Sequence, residues 1–180
     1  MNPTIKEVSA ITLTSACNWN PPPRSAMISV TGTGDARVVL KRGWRHVLRV
    51  TFDDIEEPRF GLKLFSDEEA DKVIDFIDQV EGKVDHIVTH CRFGQSRSPA
   101  IARYISQRYD LSNGFDNHMT FNRHVFETIS RRWQHRVAPG EGSCVNMGWA
   151  RADDPVYSTE LIVAGRRIFA GPRRKKGGRT

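Results

Sequence analysis

The chain has 180 residues, 38% of them hydrophobic and 27% charged, with a formal net charge of +6. That length suits one α/β domain with a modest appendage, and the hydrophobic share is enough for a folded core, which excludes a disordered or fibrous chain. Arg173, Arg174, Lys175, Lys176 and Arg179 supply nearly all of the net charge, so the body is close to neutral and the basicity is that of a tail.

Glu7 to Thr14 alternates and is rich in β-branched residues, which predicts a first strand. Asn18 to Arg24 holds three consecutive prolines and reads as a loop. Ala26 to Val30 predicts a second strand, closed by Gly32 and Gly34, and His46 to Phe52 a third that runs into the acidic segment Asp53 to Pro58. Ser66-Asp67-Glu68-Glu69 has the form of a capping box. The helix it opens places Ala70, Val73, Ile74, Ile77 and Val80 on one face and ends at Gly82. Ile87-Val88-Thr89 is short and apolar enough for a central strand. Pro99 suits the first turn of a helix running to about Tyr109, and a further helix is predicted from about Thr120 to Trp133. Glu160 to Ala170 allows a small hairpin around Ala164-Gly165, with the rest of the C-terminal region irregular. Strand–helix alternation predicts an α/β fold, a mostly parallel sheet flanked by helices. The expected division is a domain over 1–139 and an extension over 140–180.

Three cysteines, an odd number without paired spacing, argue against a disulfide framework and for a reducing cytoplasm. No apolar run approaches a membrane span, and Met1 to Lys6 lacks the basic-then-apolar order of a signal peptide. The expectation is a soluble cytoplasmic protein with no membrane partner. The tail reads as a solvated end, with nucleic acid or an acidic partner as its alternative role.

The segment richest in chemistry is His90-Cys91-Arg92-Phe93-Gly94-Gln95-Ser96-Arg97-Ser98-Pro99, set between a strand and a helix. A Cys-x5-Arg spacing is weak by itself; adding the leading His, the Gly and the trailing Ser brings chance agreement to ~10⁻⁴ or less. Such a turn wraps backbone N–H groups around a phosphate and aims a helix N-terminus at it, a field that also favours thiolate over thiol.

His90-Cys91-x5-Arg97-Ser98 resembles the phosphate-binding loop of the protein tyrosine phosphatase superfamily, and its Ser-Arg-Ser-Pro ending is most similar to the dual-specificity-like branch. Phe121 to Phe126 is similar to small bacterial and phage members, and the resemblance spans roughly residues 5 to 135. It implies that Cys91 is the nucleophile and that Arg97 grips the phosphate. The backbone of Arg92, Phe93, Gly94, Gln95, Ser96 and Arg97 would bind the phosphate oxygens. Ser98 would ease departure of the sulfur, and His90 would order the loop from behind. The general acid is an aspartate on an upstream loop, which puts the role on Asp54, with Asp53 left open by a one-residue shift. No cofactor and no metal are implied. The expected substrate is a phosphoprotein, through phosphotyrosine and, in a shallow pocket, phosphoserine or phosphothreonine. An inositol phospholipid, an RNA 5′ phosphate and a non-catalytic phosphate-binding role stand as alternatives.

Overall fold

The structure is a computed structural model describing residues 5–111, 120–137, 159–163 and 166–170. In chain order the elements are β1 (Glu7–Thr12), α1 (Leu13–Asn18), β2 (Ser25–Thr31), β3 (His46–Thr51), α2 (Asp67–Val80), β4 (His86–Cys91), α3 (Arg97–Tyr109), α4 (Arg123–Val137), β5 (Thr159–Val163) and β6 (Arg166–Ala170). The chain divides into two compact units, 1–136 and 137–180.

The first unit is α/β. Its sheet has the order β1-β4-β2-β3 with every pairing parallel. Strand β4 is inserted between β1 and β2, and all six of its residues are buried. Edge strand β3 alternates in exposure, as half-covered strands do. Because the strands are parallel, their carboxyl ends share one edge, where ligands of such sheets bind beside a switch in strand order. That edge carries Cys91 on β4, Phe52 to Asp54 after β3, and Gly32 and Thr33 after β2.

One face of the sheet carries the main core. The α2 face forms as its spacing predicts, with Ala70, Val73, Ile74, Ile77 and Val80 all buried. Ile101 and Ile105 of α3 and Val125 and Ile129 of α4 join the same cluster. Each such side chain contributes about 1.5–3 kcal/mol when removed from water. Phe52 and Phe65 meet edge-on with ring centroids 4.6 Å apart, packing the base of the acidic segment into this core. The opposite face has a smaller cluster, Ala16, Met27 and Val88, covered in part by Leu40 and Trp44. An ion-pair ladder ties α2 to α4 through Asp67–Arg131, Asp71–Arg132, Asp71–Arg136 and Asp75–Arg136.

Two elements differ most in extent from what the sequence predicts. The first strand stops at Thr12, because Thr12 Oγ1 accepts the Ser15 N–H at 3.1 Å and caps the short helix α1; alternation there concealed an N-cap. The last helix of this unit starts at Arg123 and runs to Val137, later at both ends than predicted. The capping box is present in full, with Ser66 accepting from Glu69 N and Glu69 accepting from Ser66 N. Among the described residues no helix is long and apolar enough to cross a membrane.

The second unit contains an antiparallel pair, β5 with β6, in which Val163 faces Arg166. The rest of the extension, the basic tail and Cys144 lie outside the described residues.

Candidate active site

The turn from β4 into α3 is set by one glycine. Gly94 has φ +68°, and a Cβ there would stand 2.9 Å from the Ile11 carbonyl carbon and 3.0 Å from the Thr12 nitrogen. Only glycine combines that conformation with so close a backbone approach. Thr89 fastens the turn from below, its hydroxyl donating to the carbonyls of Ser9 (3.1 Å) and Ser98 (3.0 Å).

Inside the turn lies Cys91, 2% exposed. Burial pushes its thiol pKa up. The Ser98 hydroxyl and the backbone N–H groups of Ser98, Ser96 and Gly94 outweigh that effect, and the net shift is downward. The Ser98 hydroxyl donates to Sγ at 3.1 Å. Such an environment favours thiolate over thiol. His90, directly behind, is fully buried with Nε2 2.8 Å from Ser29 Oγ. Burial lowers its pKa to about 4, so the imidazole is neutral and serves as packing between strands.

Arg97, the first residue of α3, is 6% exposed. Its Nη1 donates to the Phe52 carbonyl at 2.9 Å, which orients the guanidinium plane. Its buried Nε makes no hydrogen bond and stands 3.9 Å from Asp54 Oδ2. A buried guanidinium with an N–H left unbonded among the described residues, six residues after Cys91 on the same loop, can hold an anion. The side chains of Arg92, Phe93 and Gln95 are exposed. Arg92 lies 3.6 Å from Asp35 and 5.6 Å over the Phe93 ring.

The two neighbouring aspartates are held very differently. Asp53 accepts from Thr33 N (3.0 Å), Thr33 Oγ1 (2.7 Å) and Lys63 N (2.8 Å). The Lys63 amide, with the Thr33 donors and Arg97, pulls its pKa below the usual carboxylate value despite partial burial. Asp53 therefore closes the base of its loop and is a poor proton donor. Asp54 lies over the Cys91–Arg97 loop: Oδ1 accepts from Ser96 Oγ at 2.7 Å and from Asn122 Nδ2 at 3.0 Å, while Oδ2 faces Arg97.

Cys91, Arg97, Ser98, Ser96 and Asp54 thus share one sheet edge. The sequence reading assigned no role to Asn122, which is 2% exposed and sits just before α4. Its signal was that of an N-cap, an Asn ahead of an apolar helical period. Among the described residues no cluster of His, Cys, Asp or Glu could hold a metal ion. The chain matches no protein-family model and no curated protein.

Proposed function

We propose that this chain is a cysteine-dependent phosphomonoesterase of the protein tyrosine phosphatase type, acting on phosphotyrosine and also on phosphoserine or phosphothreonine in phosphoproteins. The observation that carries the reading is the loop itself: a thiol with lowered pKa that takes three backbone N–H groups and the Ser98 hydroxyl, with a buried arginine six residues on whose Nε is unbonded among the described residues. Equatorial phosphate oxygens take those amides and the free Arg97 edge. Cys91 Sγ attacks phosphorus in line; the S–P bond forms as the bond to the leaving oxygen breaks, and Asp54 gives that oxygen its proton. Water then attacks the phosphocysteine, Asp54 takes back a proton, and the thiolate departs with the Ser98 hydroxyl bonded to sulfur.

Phe93 on the phosphate loop and Phe60 on the acid loop are exposed, and such rings favour an aryl ester. A reducing, cytoplasmic location belongs to the proposal, because the reaction requires an unoxidised thiol at Cys91. The test is hydrolysis of p-nitrophenyl phosphate by the full chain and by Cys91→Ser, with and without vanadate. Vanadate-sensitive turnover that disappears in Cys91→Ser supports the reading; no turnover in the wild type defeats it.

A further inference from the structure

We infer that Asn122 is a positioning residue for the proton donor, selecting which oxygen of Asp54 carries the proton; this rests on the phosphatase reading above. The side-chain amide has one orientation that satisfies its surroundings. Its Oδ1 accepts the Val125 N–H at 3.0 Å, capping α4. Its Nδ2 donates to Asp54 Oδ1 at 3.0 Å and to the Ile55 carbonyl at 3.2 Å. Turning the amide over would set its NH2 against an N–H donor and its oxygen against two acceptors. Its own N–H donates to the Ser96 carbonyl at 3.1 Å, so one residue joins the acid loop, the phosphate loop and the start of α4.

The consequence for Asp54 is asymmetric. Oδ1 receives the Asn122 amide, which can only donate, and the Ser96 hydroxyl, whereas Oδ2 has Arg97 Nε at 3.9 Å and, among the described residues, no hydrogen bond. A proton on Oδ1 would oppose the amide N–H at 3.0 Å, whereas on Oδ2 the facing donor, Arg97 Nε, stands at 3.9 Å, beyond hydrogen-bond distance. The protonated acid therefore carries its hydrogen on the oxygen facing Arg97, and in the proposed reaction that hydrogen goes to the leaving group. The neighbouring bond from Arg123 N to Glu56 Oε1 at 2.7 Å holds the far side of the loop to the same helix end.

The test uses two esters: phenyl phosphate, whose phenoxide needs a proton to leave, and difluoromethylumbelliferyl phosphate, whose more acidic phenol leaves without one. Asn122→Ser retains a good N-cap acceptor, so its unfolding midpoint should stay within a few degrees of wild type. Its kcat on phenyl phosphate should fall about 10–100-fold with KM unchanged, and on the activated ester by less than about threefold. Placed on Asp54→Asn it should add no further loss, because both changes act through one proton. Ser96→Ala, which removes the other donor to Oδ1, should show the same leaving-group selectivity and provides the answer if Asn122→Ser folds poorly. Equal losses on both esters, no loss on either, or additive losses with Asp54→Asn would overturn the assignment. Absence of vanadate-sensitive turnover in the wild type on both esters would instead remove the phosphatase reading, and this role with it.

Discussion

The phosphate loop and the acid loop lie side by side but are built on opposite plans. The phosphate loop is local: within eight residues the chain supplies the thiol, the amides that surround it, the arginine and the hydroxyl on sulfur. The Ser98 hydroxyl and three backbone N–H groups together lower the Cys91 pKa, and one glycine fixes the curvature. The acid loop is assembled from afar, with Thr33, Lys63, Ser96 and Asn122 each holding one of its two aspartates. A local device should be sensitive to backbone changes and tolerant of distant ones; an assembled device should show the reverse.

The largest effects are expected in the local half. Cys91→Ser should lower aryl-phosphate turnover by on the order of 10³-fold or more while the fold persists. Gly94→Ala should damage stability and activity together, because a methyl group must displace the backbone of Ile11 and Thr12. A cost of about 1–3 kcal/mol in denaturant unfolding is expected from the positive φ alone. An unchanged unfolding midpoint would show that the loop curvature is less constrained than this geometry requires.

The assembled half should separate its two aspartates. Asp54→Asn should reduce kcat by about 10²–10⁴-fold on esters of poor leaving groups and far less on activated esters. Asp53→Asn should cost mainly stability, about 1–3 kcal/mol through its amide and hydroxyl donors. If Asp53→Asn proves the more damaging to kcat on poor leaving groups, the assignment of the acid is reversed.

A smaller effect distinguishes what lies beneath the loops. His90 has its folded pKa lowered to about 4 by burial, against ~6.5 in an unfolded chain. The unfolded state therefore binds the extra proton first, and the stability associated with neutral His90 is complete above about pH 6.5 and is lost as pH falls towards 4, up to ~3 kcal/mol. Unfolding midpoints measured across that window should drop in the wild type and drop less in His90→Asn. The α2–α4 ladder is the weakest lever. Arg136→Ala removes pairs to Asp71 and Asp75, and it should cost ~1 kcal/mol or less, diminishing with added salt.

The same contrast explains what the sequence made legible. The nucleophile loop is contiguous, so its His, Cys, Gly, Arg and Ser stand in one window, and helix α2 announces itself through its cap and its apolar period. Asn122 is 68 residues from Asp54, and no local pattern records that the two meet. Asp53 and Asp54 look alike in sequence; they are separated by Thr33 and Lys63, which reach only one of them. Helix α1 was concealed because Thr12 continues a β-branched alternation while serving as an N-cap.

The central claim is that Cys91 carries the phosphoryl group, and the most direct measurement is mass analysis of the Cys91 peptide after rapid quench with an aryl phosphate. Ser98→Ala is the best form to quench, since losing the hydroxyl bonded to sulfur should slow breakdown of the intermediate more than its formation. A phosphate adduct on Cys91 and a burst of phenol matching it in amount are expected, and neither in Cys91→Ser. Turnover without an adduct, retained in Cys91→Ser, would contradict that claim.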